Sequence, residues 1–125
     1  MKSNRGVKSV IVSLLLYLAF TTSCYYETIT PELPEPPEGD VSFATEIQPI
    51  FTAKCISCHP TMGGLDLTEG NAYSNINDPK YINSTTPAES LIYTKADASG
   101  SHPAKYTAAE SLLLLTWIEQ GANNN

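Results

Sequence analysis

Two cysteines and a histidine, Cys55, Cys58 and His59, form a Cys-x-x-Cys-His pattern, which constrains this chain more than any other feature. On a helical turn, residues at positions i, i+3 and i+4 share one face, so both thiols and the imidazole point to the same side. Thiols at this spacing can bond to the two vinyl groups of a haem while the imidazole ligates its iron. The motif therefore predicts one covalent haem c held by Cys55, Cys58 and His59.

The first 23 residues have the organisation of an export signal. A basic start is followed by an apolar run over residues 10–20 and then by small polar residues. A transmembrane helix needs about 20 apolar residues, and this run has only eleven. We therefore interpret residues 1–23 as a signal peptide and expect the protein outside the cytoplasm.

Cys24 directly follows the signal and is the third cysteine of the chain. With this placement the sequence resembles a bacterial lipoprotein, in which the signal peptidase cuts before a cysteine that carries diacylglycerol. The resemblance implies that Cys24 is lipidated and that the protein is held at a membrane, on the periplasmic or cell-surface side of a bacterial envelope. The alternative is a cleaved secretory signal with Cys24 incidental.

Residues 25–40 contain four prolines, five acidic residues and no basic one, so they should stay extended. We interpret residues 24–40 as the lipidated cysteine and a tether, and residues 41–125 as one small domain. A domain of about 85 residues buries too little apolar surface to be secure alone. A covalent haem would become the centre of its core, and we expect the chain to fold poorly without it.

The chain beyond Ser23 carries four lysines, no arginine and all thirteen acidic residues, a net charge of −9. This charge argues against nucleic acid as a partner. It allows docking to a basic redox protein, and it equally fits an acidic surface that only keeps the protein soluble. Haem propionates would have few cationic partners, and the candidates are Lys80, Lys95, Lys105, tyrosine hydroxyls, asparagine side chains and backbone N–H groups.

The pattern of apolar residues predicts helices and no strands, hence an all-α fold. Capping-box sequences predict helix starts at Thr45, at Thr86 and at Thr107, and the last helix should stop at Gly121. The first helix should run into Cys55. We expect the N- and C-terminal helices to pack across each other, with Phe51 meeting Trp117 at the crossing.

A haem iron held by His59 has one axial position left, and the candidates are His102 and Met62. Met62 is only three residues from His59 and would have to round the porphyrin rim, so we interpret it as loop packing. His102 lies 43 residues away between two predicted helices and can fold over the opposite face. We expect His102 to be the second iron ligand; a five-coordinate iron with His102 on the surface is the alternative.

Taken together, residues 41–121 resemble a class I cytochrome c, most closely the single-haem domains of exported bacterial proteins. The matching stretches are EIQPIFTAKCISCH, GGLDLTEGNAYSNI and TAAESLLLLTWIEQGA. In the wider family a methionine, often followed by proline, ligates the iron from the loop before the last helix. His102-Pro103 stands at that place here, which supports bis-histidine ligation and a lower reduction potential.

These features favour an electron carrier, not an enzyme, that exchanges electrons with redox protein partners. Two alternatives remain at this point. A haem sensor or peroxidase-like protein would keep one iron position open. A zinc-binding lipoprotein would use Cys55, Cys58, His59 and His102 as a tetrahedral ligand set.

Overall fold

The computed structural model describes residues 34–60 and 62–125, together with Val10. The chain divides into two compact units, Met1–Pro31 and Glu32–Asn125, and all described residues except Val10 belong to the second. The predicted signal peptide, Cys24 and most of the tether lie outside the described residues. None of the helices that are described is long and apolar enough to cross a membrane.

Every regular element in the described part of the chain is helical, and no strand occurs there, which confirms the all-α prediction at this level. We number the α-helices α1 to α4. In chain order the elements are a π-helical turn Phe43–Ile47, α1 Gln48–Lys54, a 3-10 turn Met62–Gly64, α2 Ala72–Ile76, a 3-10 turn Pro87–Glu89, α3 Leu91–Thr94 and α4 Ala108–Glu119.

The first helical segment begins one turn earlier than the sequence predicts, because Ser42 and not Thr45 is its cap. The Ser42 hydroxyl accepts a hydrogen bond from the backbone N–H of Thr45 at 3.3 Å, and the Glu46 carboxylate accepts one from the N–H of Ser42 at 2.7 Å. This reciprocal pair satisfies two N–H groups at the helix start. The additional turn buries Phe43 and Ile47 in the core.

The end of the described chain folds back onto this helix start. Asn125 accepts three hydrogen bonds there, from the Ser42 hydroxyl, from the N–H of Phe43 and from the N–H of Ala44, at 2.9 to 3.0 Å. The Gln120 side chain closes the same end by donating to Gly39 O at 2.9 Å and accepting from Val41 N at 2.7 Å. These contacts join segments about 80 residues apart in sequence.

Phe43 packs against both Phe51 and Trp117, the two residues that the sequence predicts to meet at the helix crossing. Its ring centroid is 6.3 Å from that of Phe51 and 5.4 Å from that of Trp117. Helix α4 accordingly packs on the π-helical turn more extensively than on α1. A side chain just outside the predicted helix thus forms the aromatic centre of the core.

The helix starts predicted at Thr107 and Thr86 have opposite outcomes. Thr107 caps α4 with both hydrogen bonds of a capping box, and Gly121, at φ +101°, follows its end, as predicted. After Thr86 only a 3-10 turn forms, because Ser90 has extended backbone, with ψ at 131°. Ser90 is 1% exposed, and its hydroxyl accepts from Asn83 N at 2.9 Å, so tertiary contacts interrupt that helix.

Candidate functional site

An apolar cleft of about 270 Å³ opens beside the Cys-x-x-Cys-His motif. This volume lies just below the usual range of small-molecule and cofactor sites, about 300–1,000 Å³. The walls come from the segment after α1, the loop after α2, helix α3 and the loop before α4. The lining residues are Cys55, His59, Gly63, Leu65, Leu67, Lys80, Tyr81, Leu91, Ile92, Lys95, Ala96, His102 and Tyr106.

The two motif cysteines differ in burial. The backbone N–H groups of Cys58 and His59 both donate to Cys55 O, at 3.1 and 2.9 Å, and form one tight turn after α1. Cys55 is 7% exposed and lines the cleft, whereas Cys58 is exposed and is not part of the lining. Burial raises the pKa of the Cys55 thiol to about 11, against the opposing charge of Lys54. Cys55 is therefore a protonated thiol at neutral pH.

The His59 ring is oriented by the backbone that follows it. Its Nδ1 lies 2.9 Å from the carbonyl oxygen of Met62, and its own carbonyl accepts from Leu67 N at 2.7 Å. A Nδ1–H that donates to a carbonyl leaves Nε2 as the nitrogen with a lone pair for a metal. No hydrogen bond from another described residue reaches His59 Nε2.

The His102 ring faces His59 across the cleft, with ring centroids 5.8 Å apart and ring planes at 25°. His102 Nδ1 lies 3.1 Å from Ala104 O and 3.2 Å from Ala104 N. In the tautomer that donates from Nδ1 to Ala104 O, Nε2 carries the lone pair, as in His59. An ion bound about 2.0 Å from one nitrogen of each ring would separate the ring centres by roughly 6 Å. The distance between the two ring centres is close to this value, and the ring planes are stacked at 25°.

Backbone contacts to α3 hold the loop that carries His102. The N–H of His102 donates to Lys95 O at 3.3 Å, and the N–H of Tyr106 donates to Ala96 O at 2.9 Å. The buried Tyr106 hydroxyl donates to Ile92 O at 3.0 Å, and burial raises the pKa of this phenol, so it remains a donor. The position of His102 is thus fixed from α3 and not from its sequence neighbours alone.

The predicted role of Met62 in loop packing is wrong. Its side chain is 62% exposed and does not line the cleft. What Met62 contributes is its backbone oxygen, the partner of His59 Nδ1. The backbone of this loop, rather than the Met62 sulfur, thus orients His59.

Gln48 positions the loop below His59 and is a residue that sequence reasoning missed. It is 6% exposed, and its amide donates to Leu67 O at 3.2 Å and to the Thr52 hydroxyl at 3.3 Å. Leu67 in turn donates to His59 O. The sequence could have indicated this role, because a polar residue on the apolar side of a predicted helix is buried and its amide then needs hydrogen-bond partners.

Within the described residues, no group of three or more His, Cys, Asp or Glu side chains is arranged to hold a metal ion. The structure brings together Cys55, His59 and His102 at one cleft, leaves Cys58 beside it on the surface, and does not describe Cys24. Comparison with protein-family models, with curated proteins and with solved structures finds no match to this chain.

Proposed function

We propose that this protein is an electron carrier with a class I cytochrome c-like fold and one haem c, attached through Cys55 and Cys58 and ligated by His59 and His102. The observation that carries the proposal is the pair of imidazoles. They are 43 residues apart in sequence, face each other at 5.8 Å across one apolar cleft, and both have Nδ1 at a backbone oxygen.

The cysteines would hold the haem by addition chemistry that needs no oxidant. Each S–H would add across one vinyl C=C, with sulfur bonding to one carbon and the proton going to the other. Bound haem supplies a centre that gains or loses one electron.

The remaining residues orient the ligands and exclude water. The contact between His59 Nδ1 and Met62 O fixes that ring and favours the tautomer with Nε2 available. His102 Nδ1 is held by Ala104, whose carbonyl oxygen and N–H suit opposite tautomers, and iron binding at Nε2 would select the one that donates to Ala104 O. Leu67 and Ile92, which are 2% and 7% exposed, give the cleft apolar walls. A dry and rigid pocket limits rearrangement of charge and solvent when an electron is transferred.

Two imidazole ligands support a low reduction potential and an electron carrier rather than an enzyme. Methionine ligation raises the potential of a cytochrome, and the exposed Met62 does not line the cleft. A peroxidase-like protein or a sensor needs an open iron position, which a ligating His102 would fill. Zinc would need four ligands, whereas Cys58 lies outside the cleft lining and no group of three His, Cys, Asp or Glu side chains among the described residues is arranged to hold a metal ion.

The proposal places the carrier at a bacterial membrane surface outside the cytoplasm, anchored by a lipid on Cys24 and spaced by the acidic, proline-rich segment up to residue 40. Sixteen residues of polyproline II span at most about 50 Å, which lets a small domain reach redox protein partners beside the membrane. Such partners would meet it through small transient interfaces. Metabolic labelling with a fatty-acid probe tests the anchor, and an unlabelled protein would refute it.

Haem staining on a denaturing gel tests the central claim, because only covalent haem remains on the chain. We expect a stained band from the full-length protein produced with a c-type haem attachment system, and no band from the Cys55→Ala/Cys58→Ala variant. An unstained wild-type band would refute the proposal.

Absorption spectroscopy of the haem protein tests the axial ligands. We expect a low-spin ferric spectrum that is lost in His102→Ala and retained in Met62→Leu, with carbon monoxide binding readily only to reduced His102→Ala. An unchanged spectrum in His102→Ala would refute bis-histidine ligation. Ready binding of carbon monoxide or peroxide by the wild type would favour a sensor or peroxidase-like protein.

A further inference from the structure

Cations are scarce in this chain, so their positions are informative. Of the four lysines beyond Ser23, Lys54 pairs with the Glu110 carboxylate at 2.5 Å. The Lys105 amine donates to the carbonyl oxygens of Asp97, at 3.0 Å, and Gly100 within the His102 loop. Both amines are engaged by groups outside the cleft lining.

The other two lysines, Lys80 and Lys95, both line the cleft. Lys80 follows α2 in a loop, and Lys95 directly follows α3, so two separate segments each contribute a lysine to the border of one cleft. Neither amine forms an ion pair with an acidic side chain of the described residues. Although the chain beyond Ser23 has a net charge of −9, these two lysines beside the apolar cavity have no carboxylate partner among the described residues.

Tyr81 adds a polar group beside Lys80. The Lys80 amine donates to the Tyr81 hydroxyl at 3.0 Å and lies 4.7 Å from the centre of the same ring. The hydroxyl, having accepted this bond, keeps its own proton for another acceptor. The bond also raises the pKa of Lys80, so the amine stays charged.

An apolar cavity bordered by unpaired cations suits a ligand with an apolar body and anionic groups at its edge. We propose that Lys80, assisted by the Tyr81 hydroxyl, and Lys95 bind the two carboxylates of the ligand in this cleft. The inference rests on the proposed function, in which these carboxylates are the haem propionates. It also removes Lys105 from the candidates that the sequence leaves open, because its amine is already bound by loop carbonyls.

The pH dependence of the reduction potential tests this assignment in the haem-loaded, full-length protein. An opposite charge within about 4–6 Å lowers a carboxyl pKa by about 1–3 units. Replacing both cations in Lys80→Gln/Lys95→Gln should therefore raise the pH at which the propionates titrate by about 1 unit or more, a tenfold or greater gain in proton affinity. The Lys80→Arg/Lys95→Arg variant keeps both charges and should titrate like the wild type.

The outcomes separate the two proposals. An unstained wild-type protein on the denaturing gel would overturn both. A stained protein whose titration midpoint is the same in wild type and in the glutamine variant would overturn the lysine assignment alone, as would an arginine variant that behaves like the glutamine variant. Haem loading that fails with glutamine and is restored with arginine would support the need for charge at these positions.

Discussion

Gly100→Ala is the substitution that should disturb His102, the proposed second iron ligand, without replacing it. A Cβ on Gly100 would lie 2.5 Å from the carbonyl oxygens of both Thr94 and Lys95. Both are backbone atoms at the end of α3, so no side-chain rotation can relieve the clash. Lys95 O is also the acceptor for the N–H of His102. The methyl group must therefore push the His102 loop away from α3.

The expected cost follows from this geometry. Inserting a methyl group where nothing can give way costs typically about 1–3 kcal/mol. For a domain of this size, 1 kcal/mol corresponds to a change in Tm of about 4–8 °C. We therefore expect thermal unfolding of the haem-loaded Gly100→Ala variant at least about 4 °C below that of the wild type. A larger fraction of its ferric haem should also be high-spin, because the displaced loop holds His102 less firmly.

Ser101→Ala is the matched control, because it changes the neighbouring residue of the same loop and its exposed side chain has no hydrogen bond with a described residue. It should unfold within about 1 °C of the wild type, as surface substitutions usually do. A Gly100→Ala protein with wild-type Tm and a wild-type low-spin spectrum would show that the close approach to α3 does not position His102.

Three further predictions concern the stability of the fold. Glu110→Gln should destabilise the haem protein by about 1 kcal/mol at pH 7, measured by denaturant unfolding, because it removes the charge pair with Lys54 and weakens the cap of α4. Although burial opposes ionisation, hydrogen bonds from Lys54 and the α4 cap lower the pKa of Glu110 below its ordinary 4.5. The difference in unfolding free energy between wild type and variant should therefore be complete above pH 4.5 and disappear as the pH falls through the lowered pKa. A difference that persists at pH 2 to 3 would contradict this. Deleting Asn125 removes two oxygen atoms that together accept three hydrogen bonds at the first helix start, and it should cost about 1–3 kcal/mol by the same measurement. Asn124→Ala should change the stability little, and equal stabilities of the deletion variant and the wild type would show that the tail contributes nothing. The chain made without haem should lack sharp, dispersed amide spectra, because the apolar walls of the cleft would face water; native-like spectra would contradict this.

The sequence predicted a helix correctly where interactions between neighbouring residues determine its start and end. The start of α4 was predictable because the capping box at Thr107 is a short-range device, and its stop followed from Gly121, the only residue type that takes a positive φ without strain. Thr86 carries the same signal, yet the buried Ser90 breaks the helix there. Local helix signals could not show that the Ser90 hydroxyl would accept a hydrogen bond from the backbone N–H of Asn83.

The sequence predicted which aromatic residues are buried in the core, but not which of them contact each other. Apolar spacing identified Phe51 and Trp117 as buried, and both are 0% exposed. It did not predict that Phe43 packs against both of them, because the first helical segment begins one turn earlier, with Ser42 at the cap position. That shift depends in part on hydrogen bonds from the far end of the described chain, which no local window contains.

The sequence by itself determined which chemistry is available, because the spacing of Cys55, Cys58 and His59 depends on a single turn and because only one other histidine exists in the chain. Only the tertiary structure decided the geometry: that His102 comes within 5.8 Å of His59, that Met62 offers its backbone instead of its sulfur, and that two of four lysines border the cleft. The physical reason is distance along the chain. The turn at Cys55 is fixed by neighbouring residues, whereas the opposite wall is placed by backbone contacts between α3 and the loop before α4, which exist only once the chain has folded.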